Sequence, residues 1–587
     1  MIFGKHINKY YLKYWYLFLL GVIFLIVVDY AQLVMPEIVG GIVARVSELD
    51  EIGESLPLQE LISNVIKLAI IALVMFTGRI IWRLGLFNAS INTCSDLRQE
   101  MFVHSEKMSQ RYFQENKTGA LMSLFTNDLE TIDDTIGGGT INAVDGIFMG
   151  GLALYKMIKV NWIVSLVALI PLLCFGVIGV VVGKYMEKKY EKRQECFERL
   201  SDFAQENFTG ISVIKAVVKE VHEIRQFSKL NEENKKVNIE FARLGAILDV
   251  AIEVLIYACI VLILVISGVV MTNSPAKMGV GDLVTFLGLF DCLIWPMFAL
   301  GGIINIHSRG KASLKRIAGL LDEKVEILDL FPAEVETISG SIEFKDFSFT
   351  YPGSDNPSLQ NITLKINKGE NVGIIGKIGC GKTTLVNVLL HLYNVDENKI
   401  LIDGVDLMHM PIKLLRDSIG YVPQDNFLFS DEVGNNIRFA NANLSQEQTE
   451  DAASFADVDE NIKGFKEGYH TRIGERGVTL SGGQKQRISI ARAIVKDPSI
   501  LILDDSVSAV DLKTEEKILK NIKSRRKGKT TLIIASRVST VDSLDRVIVL
   551  NDGKVEAFDT PTNLLKSSPT YQRMVELQKL EQEVEGE

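Results

Sequence analysis

Six apolar stretches, each close to the roughly 20 residues a helix needs to cross a bilayer, fill the first half of this 587-residue chain. They run Trp15–Met35, Leu58–Leu84, Thr140–Lys159, Trp162–Lys184, Leu248–Met271 and Leu283–Ile306. Lipid offers the backbone no hydrogen-bond partner, so such stretches span as helices or not at all. The chain is 47% hydrophobic, which fits membrane segments joined to a soluble part. It is also too long for one compact domain. Lys5 to Tyr14 is basic and aromatic, and no small-residue cleavage site follows closely. A retained first spanning helix is therefore expected, not a cleaved signal peptide.

The connections alternate in character. The loop after the first stretch is acidic, with Glu48, Asp50, Glu51 and Glu54. The connections 88–139 and 185–245 are long, polar and helix-patterned. Basic residues gather at the N-terminus and at Arg309, Lys311, Lys315 and Arg316, so the positive-inside rule predicts cytoplasmic termini. The formal net charge of −10 argues against nucleic acid as the main ligand. The six cysteines form no CxxC pair and carry no zinc or disulfide signature.

The texture changes near Ser339. Short strand-like runs (342–349, 371–375, 400–402, 500–503, 530–535 and 546–550) alternate with helical ones. This predicts an α/β domain with a mainly parallel core sheet. The expected boundaries are a six-helix transmembrane domain over 1–320, a linker over 321–340 and a nucleotide-binding domain over 341–587.

Gly376-Lys377-Ile378-Gly379-Cys380-Gly381-Lys382-Thr383, followed by Thr384, fits the P-loop pattern directly after an apolar run. Its glycines let backbone N–H groups wrap phosphates, and the helix that follows adds positive potential. Lys382 would reach the β/γ-phosphates and Thr383 would hold Mg²⁺. Asp504 closes the apolar run Ile500–Leu503, where a second Mg²⁺ ligand belongs. Cys380 is read as a small neutral filler of the loop.

Leu480-Ser481-Gly482-Gly483-Gln484 lies between these two motifs. A Ser-Gly-Gly that opens a helix is a further anion site. In this position it resembles the ABC signature, and other segments then fall into the same order. Tyr351 is similar to the aromatic that stacks on adenine. Gln424 resembles the Q-loop glutamine, also a Mg²⁺ ligand. Thr471–Gly477 resembles the exporter X-loop and Ser508–Asp511 the D-loop. Residues 113–134 and 206–227 look like the two coupling regions. The whole chain resembles a type IV (B-subfamily) ABC exporter half-transporter. That resemblance implies ATP and Mg²⁺ as cofactors, a second half-transporter as partner, contact with membrane lipid, a small-molecule cargo, and residence in a bacterial plasma membrane.

Two positions depart from the family pattern. The residue after Asp504 is usually Glu, the group that orients or deprotonates the attacking water. Here it is Asp505, whose carboxylate sits about 1.5 Å further back. At 536 the family usually has His, and this chain has Ser. Both residues would meet the same γ-phosphate. The resemblance therefore extends to the degenerate-site subunit of heterodimeric bacterial multidrug exporters. Such a subunit completes its partner's hydrolytic site with Ser481–Gln484 in trans. A homodimeric lipid or peptide exporter and an ATP-sensing membrane regulator are the competing expectations. Asp29, Asp145, Asp249, Glu253 and Asp291 lie within apolar stretches. Buried carboxylates are costly in lipid and usually face a cavity or a partner. They are the candidate lining of a cavity for hydrophobic cations.

Overall fold

The computed structural model describes residues 4–54, 56–273, 278–329, 332–474, 480–506 and 511–585, without the side chains of 171–184, 187, 273, 512 and 581–585. Two compact units emerge. One comprises Met1–Ser105 with Gly119–Glu323, the other Glu106–Thr118 with Lys324–Glu587.

The first unit is all helix. Every apolar stretch lies in a helix that outruns it. The helices are Trp15–Ile52, Leu58–Ser105, Trp162–Thr209, Glu220–Asn273 and Val280–Leu321, while the third stretch lies in a helical run from Thr118 to Val160. Among the described residues five of these are long and apolar enough to cross a membrane. At 1.5 Å per residue, the 48 residues of Leu58–Ser105 reach about 72 Å. That is more than twice a hydrocarbon core of about 30 Å, so such helices must project beyond the bilayer. Glycines set the closest helix approaches. A Cβ on Gly85 would lie 3.1 Å from the backbone of Gly21. One on Gly281 would lie 2.3 Å from the Gly40 carbonyl oxygen. The third helical run contains π-helical segments at Leu124–Asp128 and Asp145–Met149.

Among its described residues the second unit carries ten strands: β1 (Ile342–Phe349), β2 (Leu359–Ile366), β3 (Asn371–Gly376), β4 (Ile400–Ile402), β5 (Val405–Asp406), β6 (Ile419–Val422), β7 (Ile500–Asp504), β8 (Thr530–Ile534), β9 (Arg546–Asn551) and β10 (Lys554–Asp559). The core sheet has the order β10-β9-β3-β8-β7-β6 and is parallel except for β10. Its central strands are apolar throughout because helices or the second sheet cover both faces. Two of the six strand-like runs, β1 and β4, join a separate antiparallel sheet, β2-β1-β4-β5. That sheet packs on the core sheet through Phe344, Phe347, Ile374 and Ile502. In open parallel sheets ligands bind outside the carboxyl ends of the strands. At that edge β3 ends in Gly376, β7 in Asp504 and β8 just before Ser536.

Candidate nucleotide site

The loop after β3 depends on its glycines. Gly376, Gly379 and Gly381 have φ of 158°, 81° and 99°. A Cβ on Gly376 would sit 2.2 Å from the Leu550 carbonyl oxygen, and one on Gly381 2.7 Å from that of Ser358. Lys382 opens the helix Lys382–Leu389. Its Nζ donates to the carbonyls of Gly376 (2.8 Å) and Lys377 (2.9 Å). Ile378 is fully exposed, whereas Cys380 is buried and its thiol pKa is pushed up by that burial. Thr384 accepts a bond from the Tyr351 hydroxyl at 3.2 Å, and Asn387 donates to the same hydroxyl at 3.3 Å. Tyr351 is thus held edge-on to Phe349 and Tyr393 beside the loop.

Asp504 is 1% exposed, and among the described residues its Oδ2 has no hydrogen-bond partner. Burial pushes its carboxyl above the usual carboxylate range and Asp505 adds to the effect, while a bond from Thr383 and the charge of Lys382 oppose it. A buried carboxylate with one free oxygen next to a threonine hydroxyl is a donor set that suits Mg²⁺, whose charge favours the ionised form. Asp504→Asn is expected to weaken the Mg²⁺-dependent tightening of ATP binding by at least about tenfold, the lower range for changes around a metal ligand. ATP titrations of the full chain with and without Mg²⁺ measure this, and an unchanged Mg²⁺ dependence would contradict the role.

Asp505 follows in the left-handed region at φ 47°, which aspartate tolerates better than most residues. Its N–H donates to Ile534 at 3.0 Å, so it is fixed to the end of β8. Its Oδ1 accepts a hydrogen bond from the Ser536 hydroxyl at 3.2 Å. The two positions that depart from the family pattern are therefore in direct contact.

Ser481 caps the helix Gly482–Ile494 through a reciprocal pair with Gln484. The Ser481 N–H donates to Gln484 Oε1 at 3.0 Å and the Gln484 N–H to Ser481 Oγ at 3.3 Å. Among the described residues nothing lies within 4 Å of a Cβ built on Gly482. The same helix reaches the edge of the site through Gln486 Nε2, which donates to the Asp505 carbonyl at 3.4 Å. Gln424 is exposed two residues beyond β6. Of the X-loop, 475–477 lie outside the described residues, as do 508–510 of the D-loop; Asp511 accepts a bond from the Thr514 N–H at 3.1 Å.

A family model for the ABC transporter transmembrane region matches residues 18–297, and one described as ABC transporter matches 359–508. The multidrug resistance-like ATP-binding protein MdlA of Buchnera aphidicola subsp. Schizaphis graminum is 33% identical over 584 residues, covering 99% of both chains. The chain belongs to the ABC transporters. A second relative of this transporter is the probable multidrug resistance ABC transporter ATP-binding/permease protein YheI of Bacillus subtilis. It is 33% identical over 584 residues, covering 99% of this chain and 98% of that one. The solved structure of a bacterial Atm1-family ABC exporter with ATP bound shares the fold, with a TM-score of 0.75 at 23% identity over 97% of this chain and 98% of that one.

In this ABC transporter the acidic residues of the apolar helices lie in different surroundings among the described residues. Asp29 and Asp145 are buried, each with one oxygen that has no partner among the described residues, and Trp295 Nε1 donates to Asp145 Oδ2 at 2.7 Å. Glu253 and Asp291 line a groove of about 350 Å³ with Tyr257 and Phe290. Asp249, one helical turn before Glu253, is exposed outside the lining of that groove. The face of each helix is set by its rotation in the bundle, which i, i+4 spacing alone does not fix.

Two residues that the sequence did not single out grip the segment after Ser536. Glu515 is buried; its Oε1 accepts from the Thr540 hydroxyl and its Oε2 lies 3.9 Å from Arg537. Gln578 Oε1 accepts from the N–H groups of Val538 (2.7 Å) and Ser539 (3.3 Å), and its Nε2 donates to Ser539 Oγ at 2.8 Å. Gln578 thereby caps the short helix Val538–Val541 from the helix Pro569–Glu585. A lost cap costs about 1 kcal/mol. Gln578→Ala should therefore speed hydrogen exchange at Val538 and Ser539 about fivefold, and Gln578→Glu, which keeps the acceptor, should restore protection. Unchanged exchange in Gln578→Ala would mean that the cap is dispensable.

Proposed function

We propose that this ABC exporter subunit is the slow half of an asymmetric pair. The single observation that carries the reading is the hydrogen bond from Ser536 to Asp505. Two short side chains stand at the positions that would orient and deprotonate the attacking water, and they bond to one another. The P-loop, Tyr351 and the Thr383–Asp504 pair are all present, so this site binds MgATP and retains it. Thr383 and Asp504 would hold Mg²⁺, which would supply charge neutralisation for the phosphates. Lys382 adds charge, the P-loop N–H groups orient the phosphates, and Tyr351 receives the base.

The capped Ser481–Gln484 turn lies on a separate helix. It offers N–H groups to a nucleotide held by a second half-transporter, and hydrolysis takes place at that completed site. ATP binding joins the two nucleotide domains and turns the membrane cavity outward; hydrolysis in the other site resets it. The cargo is hydrophobic or cationic. Support comes from the similarity to multidrug resistance-like proteins and from the Glu253–Asp291 groove with its aromatic lining. The basic N-terminus and the cluster at 309–316 support cytoplasmic termini in a bacterial plasma membrane.

The test is ATPase activity and oligomeric mass of this chain purified alone in lipid. The expected result is tight ATP binding with almost no turnover, and activity only once a partner bearing Glu and His at the equivalent positions is added. A stable homodimer with brisk ATPase would overturn the pairing and favour a self-sufficient lipid or peptide exporter.

A further inference from the structure

A groove of about 390 Å³ runs along the second spanning helix in the membrane unit. Its lining is Met35, Ala72, Met75, Phe76, Arg79, Ile80 and Arg83. Arg79 and Arg83 are one turn apart on one face and both are exposed. Arg83 stacks against the Trp82 ring, its cation 5.5 Å from the ring centroid. No carboxylate lines the groove among the described residues.

The depth of these arginines is fixed by glycine contacts. A Cβ on Gly78 would lie 2.7 Å from Val28, and one on Gly85 would lie 3.1 Å from Gly21. Arg79 and Arg83 therefore stand opposite the Gly21–Val28 part of the first spanning helix, inside its apolar stretch. Charged residues at such depth are costly and face a cavity, a pathway or a binding partner. From Ala72 to Arg83 the groove follows about 16 Å of helix. One end is apolar and sulfur-rich, the other carries two guanidinium groups.

We propose that this groove binds an anionic amphiphile drawn from the bilayer. Arg79 and Arg83 hold its phosphate headgroup through charge-assisted, fork-shaped hydrogen bonds, which guanidinium geometry favours. Met35, Ala72, Met75 and Phe76 cover the first part of its chain. This ligand is opposite in charge to the cargo proposed above. The site does not depend on which half of the transporter hydrolyses ATP.

The experiment uses the full chain in neutral detergent, with native mass spectrometry reading lipid adducts and thermal unfolding reading their effect. The probes are dioleoyl phosphatidylglycerol, dioleoyl phosphatidylcholine, and glycerol phosphate as a headgroup without a chain. The expected result is a preference of roughly tenfold for phosphatidylglycerol over phosphatidylcholine. That preference should be lost in Arg79→Gln/Arg83→Gln, reduced but kept in Arg79→Lys/Arg83→Lys, which preserves the charge without the fork, and unaffected by Arg243→Gln on the polar extension. Glycerol phosphate alone should leave the unfolding midpoint unmoved, since it cannot use the apolar end. An ATP-induced rise in midpoint in each variant reports that it has folded. Equal retention of both lipids, a preference that survives the glutamine pair, or an equal effect of glycerol phosphate would overturn the site.

Discussion

Asp505→Glu combined with Ser536→His is expected to raise ATP hydrolysis at this chain's own site by about 100-fold. The magnitude follows from geometry: an added methylene carries the carboxylate about 1.5 Å forward, and misplacement by about 1 Å costs on the order of 100-fold in an in-line reaction. The two changes are not independent, because Ser536 donates to Asp505 at 3.2 Å. Changing only Ser536 removes the group that steadies the short carboxylate. Changing only Asp505 leaves the longer one without the imidazole that would contact the γ-phosphate. Each single variant should therefore gain less than about tenfold, and the pair should exceed their product, as coupled residues do. Single-turnover hydrolysis of ATP pre-bound to this chain is the direct measurement. A double variant that binds ATP normally and stays at the wild-type rate would show that the slow site has another cause.

Gly482→Asp should have the opposite effect on the assembled transporter, lowering its turnover by 100-fold or more while ATP remains bound at this chain's own P-loop. Among the described residues nothing lies within 4 Å of a Cβ at Gly482, so they leave room for the side chain. A carboxylate in the first turn of the helix Gly482–Ile494 also suits the helix dipole, so stability should hold. Against a phosphate about 4 Å away its charge is unfavourable by about 4 kcal/mol at an effective dielectric of 20, more than a 100-fold loss. Lys382→Ala in the same chain should remove bound ATP here yet cost the assembled pair far less turnover. The reverse order of severity would mean that this chain's own P-loop carries the hydrolysis.

The candidate nucleotide site is legible in the sequence wherever it rests on local backbone geometry. The glycine loop after an apolar run, the acidic end of Ile500–Leu503 and the Ser481–Gln484 cap are all set within a few residues of backbone. The contact between Asp505 and Ser536 joins residues from two neighbouring strands, and only the parallel pairing of β7 with β8 brings them together. Gln578 lies still further along the chain from the segment it caps, and glutamine on a charged helix carries no distinguishing pattern. In the membrane unit, apolar length identified the helices but not their rotation. Hence spacing alone does not say that Asp29 and Asp145 are buried, that Glu253 and Asp291 line a groove and that Asp249 is exposed, and it gives no sign of the arginine groove.

The nucleotide unit is assembled from two separate pieces of chain, Glu106–Thr118 and Lys324–Glu587. The short piece supplies Arg111 and Ser109 to Glu326, and Gln114 to the Tyr393 hydroxyl at 3.0 Å, one ring away from Tyr351. A gene fusion that exchanged everything after residue 323 with a relative would therefore strand these thirteen residues on a foreign surface. The piece that carries its own contacts is not the stretch after the membrane helices but that stretch together with its distant graft. Chimeras that transplant both pieces should keep the aromatic shelf beside the nucleotide intact, and those that transplant one should not.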